Sequence, residues 1–501
     1  MNLTDHKKKL YDQLSEIHTL RGIDALLGWD QQVYMPPKAS EGRAAQIEYV
    51  SLLTHRRFTE PEFIESVDVL AENLDQLSDD DRVNVREVKR ALDRQRKLPD
   101  DFVAEKARAS AIGYDTWVKT RPSSDFEAVK PVLAQIVDIA RRETDLVGYT
   151  EHPYDALLDA FEPYSKLSAV KPLLTGLAER LRAIIPEIAA DFEGIGDPEG
   201  AYDESRQYAM GREIASDLGY DFQSGRLDKT AHPFMTTIGR NDVRITTRYF
   251  EDNFLPALYG VIHETGHALY ELGLPPDRLG TPCGEPVSMG VHESQSRLWE
   301  NLIGRRCSFM EYLHRVFSKH FPEAAASMDE NGLWMHANKV KPDLIRVEAD
   351  EVTYTQHIVV RMLLEEALVS GSLQVDTLPE AWDDLYETYL GVRSPTLKDG
   401  VMQDVHWFSG AIGYFPSYAL GNLYNSMMLQ TAQKAIPDMD EQIARGDFSQ
   451  ILAWTRKNVH EHGMRFTGPD LIKRITGRDL ESDTFAEYVA EKFGVTEPQR
   501  R

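Results

Sequence analysis

Apolar residues recur every three or four positions through most of the chain. Leu10, Leu14 and Ile17 show this spacing near the start, and Leu174 and Leu177 show it further along. Such spacing places apolar side chains on one face of an α-helix. Short breaks containing Gly and Pro separate these stretches, and no long low-complexity linker interrupts them. The pattern therefore predicts a mainly α-helical protein.

A different pattern occupies residues 232–249. Residues 232–238 and 243–249 are rich in β-branched and aromatic side chains, and a turn cluster at 239–242 separates them. This arrangement predicts an antiparallel β-hairpin. Pro233 places the first strand at a sheet edge, or at its own first residues, because Pro has no N–H to donate. Apolar and polar side chains alternate along the second strand, so one of its faces is expected to pack against the core. The opposite face, which carries Arg244, is expected to contact solvent or a ligand.

The strongest chemical signal lies in a helical pattern over residues 253–272, which ends at Gly273. It contains His263, Glu264 and His267 in an H-E-x-x-H motif. A spacing of four places both imidazoles on one helix face, where their nitrogens can converge on one metal ion. Glu264 lies beside that metal and can accept a proton from water that the metal activates. The motif predicts a hydrolytic metal site.

Two histidines are too few for a catalytic zinc ion, which usually has three protein ligands. A second helical pattern, residues 288–302, supplies two candidates for the third, Glu293 and His292. Neighbouring residues point about 100° apart on a helix, so only one of them faces the metal. Spacing alone leaves both open.

Composition narrows the class of protein. The 501 residues contain 56 Lys and Arg against 81 Asp and Glu, a net charge of −25. Such a chain repels phosphate backbones and anionic membranes, so we expect neither nucleic acid nor a membrane as its main partner. The two cysteines form no C-x-x-C motif, and the N-terminal residues lack an apolar run of signal-peptide length. We expect a cytoplasmic protein.

The metal motif is accompanied by further motifs that together resemble the carboxypeptidase Taq family of metallocarboxypeptidases. The segment at 292–295 (HESQ) follows the H-E-x-x-H motif as it does in the family, and 29–31 (WDQ) with Met35 and Pro36 is similar to the family's opening. The other motifs, in family order, are 232–234 (HPF), 242–246 (DVRIT), 345–350 (IRVEAD) and 400–407 (GVMQDVHW). The resemblance therefore spans nearly the whole chain.

The resemblance implies a mainly α fold: one domain over 1–501, with two helical halves flanking a deep groove and a small antiparallel hairpin or sheet beside the metal site. This outline is similar to neurolysin and angiotensin-converting enzyme, and a homodimer is expected. The resemblance assigns His263, His267 and Glu293 as ligands of one divalent metal and Glu264 as the general base. Zinc is expected, with cobalt or manganese as alternatives.

The implied reaction is hydrolysis of the C-terminal peptide bond of peptides, with broad specificity. An endo-oligopeptidase on the same scaffold and an inactive peptide-binding protein are the alternatives. Hydrolysis needs hydrogen-bond donors for the developing oxyanion. We expect these from His406, in the last family motif, and from Tyr414, with Tyr418 as the alternative to Tyr414. For both, a packing role is the competing interpretation.

A carboxypeptidase must also bind the free carboxylate of its substrate, for which a guanidinium group is well suited. Arg346 is the leading candidate, on a helical pattern that continues through Tyr354. The competing interpretation is a surface ion pair between Arg346 and Asp350, one helical turn apart. Arg244 and Arg297 are further candidates, and in the family the segment containing Arg244 lies toward the far end of the groove, where it can limit substrate length.

Overall fold

The computed structural model describes residues 2–198 and 200–496, so the single domain predicted over 1–501 includes residues outside the described part. This part contains 21 α-helices and three β-strands, which confirms the predicted fold class. The helices are α1 Leu3–Val33, α2 Ser40–Phe58, α3 Pro61–Ala71, α4 Asp79–Arg96, α5 Asp100–Thr120, α6 Phe126–Val147, α7 Pro153–Leu158, α8 Leu167–Ala190, α9 Glu204–Asp217, α10 Leu255–Gly273, α11 Met289–Arg297, α12 Cys307–His320, α13 Pro322–Ala325, α14 Glu330–Ala337, α15 Tyr354–Ser370, α16 Leu378–Leu390, α17 Pro416–Ala435, α18 Met439–Arg445, α19 Ser449–Asn458, α20 Gly468–Thr476 and α21 Asp483–Phe493. The strands are β1 Leu227–Lys229, β2 Met235–Gly239 and β3 Asp242–Thr247.

The two helices that carry the metal motif lie within the two helical patterns of the sequence, and α10 ends at Gly273, as predicted. Helix α10 has Pro256 in its first turn, where a missing N–H costs nothing. Helix α11 follows Ser288, whose hydroxyl accepts the backbone N–H of Val291 at 3.1 Å. Beyond α11 the chain continues as a wider, π-helical turn over Leu298–Ile303. Helix α11 and this turn together span the second predicted helical pattern.

The small sheet has the strand order β1-β3-β2. β2 and β3 form the predicted antiparallel hairpin, with Asn241 in the left-handed conformation at the turn. β2 is an edge strand, as Pro233 indicated. The sequence did not indicate β1, which pairs in parallel with β3, so the sheet is mixed and not purely antiparallel. A three-residue strand is too short to show an alternation pattern.

The metal motif lies where two hydrophobic clusters meet. One cluster is built mainly from α6, α8, α15 and α17, and the other from α9, α10, α12 and the π-helical turn. Helix α10 contributes Leu258 and Ile262 to the second cluster, whereas α11 contributes Val291 to the first. Helix α10 also contributes Tyr270 to the first cluster, so it lies between the two clusters, whereas α11 packs in the first. Among the described helices, none is both long and apolar enough to cross a bilayer.

Candidate metal centre

Three side chains from the two helices converge. His263 and His267 on α10 and Glu293 on α11 have ligand atoms that all lie within 4.8 Å of one another. Glu293 Oε2 lies 3.7 Å from His263 Nε2 and 3.4 Å from His267 Nε2. Ligands held at about 2.1 Å from a tetrahedral zinc ion lie about 3.4 Å apart. The donor set therefore fits a divalent metal.

A hydrogen bond to Glu300 determines which nitrogen of His263 faces the centre. His263 Nδ1 lies 2.8 Å from Glu300 Oε2. A carboxylate only accepts hydrogen bonds, so Nδ1 carries the proton and Nε2 presents a lone pair toward Glu293. Glu300 also accepts from Arg305 at 3.1 Å. Although burial opposes ionisation, His263 and Arg305 lower the pKa of Glu300 to about 2.

His267 is oriented by a relay of two further residues. Its Nδ1 lies 2.6 Å from His292 Nδ1, and His292 Nε2 lies 3.0 Å from Glu271 Oε1. The Glu271 carboxylate accepts from His292 Nε2, so the Nδ1 of a neutral His292 accepts from His267 Nδ1. His267 Nε2 is then free to ligate. Both nitrogens of His292 have partners, which favours Glu293 over His292 as the third ligand.

The Glu293 carboxylate is held by groups of its own helix. Arg297 Nε donates to its Oε1 at 2.7 Å, and Ser296 Oγ donates to its Oε2 at 3.2 Å. Despite burial, Arg297 and His263 hold the pKa of Glu293 well below its usual range. Arg297 is in turn stacked on the ring of Tyr354 at 3.8 Å. This predicted candidate for carboxylate binding therefore neutralises and orients Glu293.

Two glycines let neighbouring helices approach α11 closely. A Cβ on Gly266 of α10 would lie 2.6 Å from Ser296 Cα, and one on Gly421 of α17 would lie 3.1 Å from Glu293 Cβ. The first contact is with backbone, which cannot move aside by rotating a side chain. Gly266 thus sets the spacing between the two ligand-bearing helices.

Glu264, the predicted base, lies beside the three converging side chains. It is 7 % exposed. Burial raises its pKa to about 7, and the negative charges of Glu293 and Glu300 act in the same direction. A carboxyl group with a pKa near neutrality can both take and return a proton.

Two predicted oxyanion donors come from a loop at 401–415 that contains neither α-helix nor β-strand. His406 stacks on Tyr414 with ring centroids 5.6 Å apart, and the Tyr418 hydroxyl lies 3.4 Å from His406 Nε2. Burial lowers the pKa of His406 to about 4, and burial together with Glu293 raises that of Tyr414. Both side chains are thus neutral at pH 7. Because the charge of Glu293 affects the pKa of Tyr414, the Tyr414 hydroxyl lies near the converging ligands.

Arg346 does not lie where the sequence placed it. The helix predicted through Tyr354 is broken: Arg346 lies in a 3-10 turn, Arg346–Glu348, and α15 begins only at Tyr354. The competing interpretation, a surface ion pair with Asp350, is also wrong, because that carboxylate accepts the backbone N–H groups of Val352 and Thr353 at 2.9 Å, in a loop.

The partner of Arg346 is Asp404. Arg346 Nε and Arg361 Nε donate to the two oxygens of Asp404 at 2.9 and 2.6 Å, and Arg346 Nη1 donates to the Tyr354 hydroxyl at 3.0 Å. Two guanidinium groups share one carboxylate, which leaves a net positive charge at this point. Tyr354 also stacks on Arg297, so Arg346 is one side chain removed from the group that holds Glu293.

Arg244 lies on β3. Its Nε donates to Asp242 at 2.7 Å, and its guanidinium lies 4.2 Å from the ring centre of Trp29. Three residues further along β3, Thr247 Oγ1 donates to Ala257 O in the first turn of α10 at 3.2 Å. The hairpin is therefore docked on the helix that carries both histidines.

Sequence reasoning missed several residues of this site. Glu300 follows Glu293 by seven positions, two helical turns, and this spacing on one helix face was a usable signal. Glu271, one helical turn after His267, also lies at a spacing that points to this site, and it bonds to His292. Asp404 and Arg361 pair across 43 positions, which no local pattern reveals.

Comparison with known proteins covers nearly the entire chain. The sequence profile of the carboxypeptidase Taq (M32) metallopeptidases matches residues 9–493. Thermostable carboxypeptidase 1 of Thermus thermophilus is 41% identical over 498 residues and 95% of each chain. Carboxypeptidase 1 of Bacillus subtilis is 36% identical over 98% of this chain and 99% of its own. The crystal structure of M32 carboxypeptidase from Deinococcus radiodurans R1 has a TM-score of 0.93 and 36% identity, covering 98% of this chain and 99% of its own.

Proposed function

The chain belongs to the carboxypeptidase Taq (M32) metallopeptidase family, and we propose that this metal-dependent carboxypeptidase releases C-terminal residues from peptides with broad side-chain specificity. The observation that carries the proposal is the convergence of His263, His267 and Glu293 beside a buried Glu264. The three side chains hold one metal ion, and Glu264 is left for proton transfer. This division of roles is the one that hydrolysis without a covalent intermediate requires.

Zinc is the metal we propose, because two imidazoles and one carboxylate are a usual donor set for catalytic zinc. Cobalt and manganese are the alternatives. When bound, the metal supplies Lewis acidity, which makes water more acidic and polarises the scissile carbonyl. The hydrogen bonds from His263 to Glu300 and from His267 to His292 hold both Nε2 atoms toward the site.

Glu264 takes a proton from the attacking water and returns it to the leaving amine. Its pKa near 7 suits both steps. His406 and Tyr414 donate hydrogen bonds to the carbonyl oxygen as negative charge develops on it. Each is neutral at pH 7 and so donates without adding a charge to the site. A donor of this kind contributes about 2.7–4 kcal/mol to stabilisation of the transition state.

Arg346 is our candidate for binding the C-terminal carboxylate of the substrate. Arg346 and Arg361 carry two positive charges against the single negative charge of Asp404. The surplus charge attracts an anion, and Tyr354 connects Arg346 to the residues around Glu293. Arg244, docked against Trp29 on the hairpin, is our candidate for contacts with more distant substrate residues.

Broad specificity is supported by the edge strand β2. An extended peptide that pairs with an edge strand is held by main-chain hydrogen bonds, which do not depend on its side chains. Helix α1 approaches β2 at Ile238, where a Cβ on Gly22 would lie 2.2 Å from the Ile238 carbonyl oxygen. Peptide pairing is therefore confined to Met235–Thr237.

We also propose a cytoplasmic location and a homodimer, with one metal ion per chain. Cys283 and Cys307 are both unpaired, which is usual in a reducing compartment. The dimer rests on the family resemblance. We propose neither nucleic acid nor a membrane as a partner, since the net charge of −25 disfavours binding to polyanions.

Two peptides of identical sequence, one with a free C-terminus and one amidated, test the proposal. We expect stepwise release of C-terminal residues from the free peptide and a loss of at least two orders of magnitude in kcat/KM for the amide. Equal cleavage of the two, or products from internal bonds, would instead establish an endo-oligopeptidase. Binding without cleavage in the metal-loaded protein would establish a peptide-binding protein.

A further inference from the structure

A buried carboxylate on α15, Glu365, is absent from the proposed reaction yet lies against the loop at 401–415. It is completely buried, and its two oxygens accept three hydrogen bonds. Tyr154 Oη donates to Oε2 at 2.6 Å, Gly413 N donates to the same oxygen at 3.1 Å, and Trp407 Nε1 donates to Oε1 at 2.8 Å. Two of these donors belong to the loop.

The two loop donors adjoin the proposed oxyanion donors. Trp407 follows His406 directly, and Gly413 precedes Tyr414 directly. Between them the loop closes on itself, with Ala411 N donating to His406 O at 2.8 Å. A single carboxylate thus fixes both ends of the segment from His406 to Tyr414.

The loop has little freedom to find another arrangement at Gly413. This residue has φ of 98°, a conformation that favours glycine, and a Cβ there would lie 2.9 Å from the Leu157 carbonyl carbon of α7. The Gly413 N–H therefore points in a fixed direction, and Glu365 is its acceptor. Tyr154, the third donor to Glu365, also lies on α7, so α7, α15 and the loop meet at this carboxylate.

A charged group buried without such partners would be strongly destabilising. A buried carboxylate that has them holds its partners in a fixed orientation. Burial raises the pKa of Glu365 to about 7, whereas Tyr154, Trp407 and Gly413 favour the ionised form by donating to it.

We propose that Glu365 is a positioning residue for peptide hydrolysis, which holds His406 and Tyr414 in the orientation needed to donate to the developing oxyanion. The inference rests on the proposed roles of those two side chains. Glu365 itself does not touch the substrate.

Glu365→Gln tests this with minimal change in volume. An amide has one oxygen, and its NH2 group cannot accept. Whichever way the amide is turned, either Trp407 Nε1 or Gly413 N faces another donor. Because loss of a complete oxyanion donor costs about 10²- to 10³-fold in kcat, we expect misalignment to lower kcat about 10- to 100-fold. KM changes by less than about threefold, because the substrate-binding groups are untouched.

Glu366→Gln is the matched control. It is the same substitution one residue along α15, where the carboxylate forms a part-exposed ion pair with Lys171 at 2.6 Å. We expect kcat within about twofold of the parent enzyme. Trp407→Phe is a second variant, which removes one donor to Glu365 and keeps an aromatic ring at this position. We expect kcat to decrease here too, but by less than in Glu365→Gln. Metal content should be unchanged in all three.

A double-mutant cycle separates positioning from general destabilisation. If Glu365 acts through the donors, adding Glu365→Gln to Tyr414→Phe or to His406→Gln lowers kcat by less than the product of the single effects. The proposal would be overturned if kcat of the double variants fell by the full product of the single effects. It would also be overturned if kcat of Glu365→Gln stayed within twofold of the parent enzyme. Tyr414→Phe and His406→Gln keep Glu365, so unchanged kcat in both would show that the donor assignment failed, and the role of Glu365 would fail with it.

Discussion

Gly266→Ala is the substitution for which the structure makes the sharpest prediction. Gly266 lies between the two histidine ligands on α10, where α10 meets α11. A Cβ at this position would lie 2.6 Å from Ser296 Cα and 2.7 Å from the Gln295 carbonyl oxygen. Both are backbone atoms, so the contact can be relieved only by moving one helix away from the other.

The size of the required movement follows from these distances. Ordinary contact of a Cβ begins at 3.4 Å, so α11 must move by about 0.8 Å. Metal–ligand distances tolerate only about ±0.2 Å, and Glu293 lies one turn from Ser296. Helix propensity favours Ala by about 1 kcal/mol, but overpacking costs about 1–3 kcal/mol. We therefore expect metal affinity to fall about 10- to 100-fold, as when a partner of a ligand is lost, and stability to be unchanged or lower by up to about 2 kcal/mol.

The assay is metal binding by equilibrium dialysis against buffered zinc, with the melting temperature of the metal-free protein measured in parallel. Gly176→Ala is the control: it also lies within a helix, α8, and a Cβ there would meet nothing within 4 Å. We expect this control to raise the melting temperature and leave metal affinity unchanged. If Gly266→Ala behaves in the same way, Gly266 does not set the spacing of the ligands.

Three further substitutions address the other roles. Glu264→Gln should retain the metal while kcat falls about 10²- to 10⁴-fold, because the proton acceptor is lost; metal analysis and peptide hydrolysis measure both, and surviving turnover would refute the assignment. Glu300→Gln should lower metal affinity about 10- to 100-fold, since the neutral amide holds His263 Nδ1–H less strongly; unchanged affinity in dialysis would contradict the tautomer argument. Arg346→Lys should raise KM for free-acid peptides at least about tenfold, because an ammonium cannot reproduce the fork that contacts Asp404 and Tyr354; an unchanged KM would move carboxylate binding to another residue.

Local patterns predicted the parts of the fold that depend on nearby residues. The helical spacing, the turn between β2 and β3, and the limits of α10 all follow from a few consecutive side chains. His263, Glu264 and His267 lie within one and a half turns of one helix, so their relation was visible in the sequence. The third ligand was ambiguous because orientation on α11 depends on packing against α10 and α17.

The errors occurred where distant segments meet. Arg346 was placed on a helix, and the competing interpretation paired it with Asp350, because an i,i+4 residue is the nearest partner that a sequence offers. The structure pairs it with Asp404, which lies 58 positions away. Likewise, the β1 strand exists only because β3 lies beside it. Long-range ion pairs and short strands are products of tertiary packing, and no local periodicity encodes them.

The claim that His263, His267 and Glu293 together hold the metal is tested most directly by Glu293→Ala, studied by elemental analysis and dialysis on protein purified without added metal. The account predicts about one metal ion per chain in the parent enzyme, and in Glu293→Ala a loss of metal together with hydrolysis. Stoichiometric metal of unchanged affinity in Glu293→Ala would contradict it and place the third ligand elsewhere.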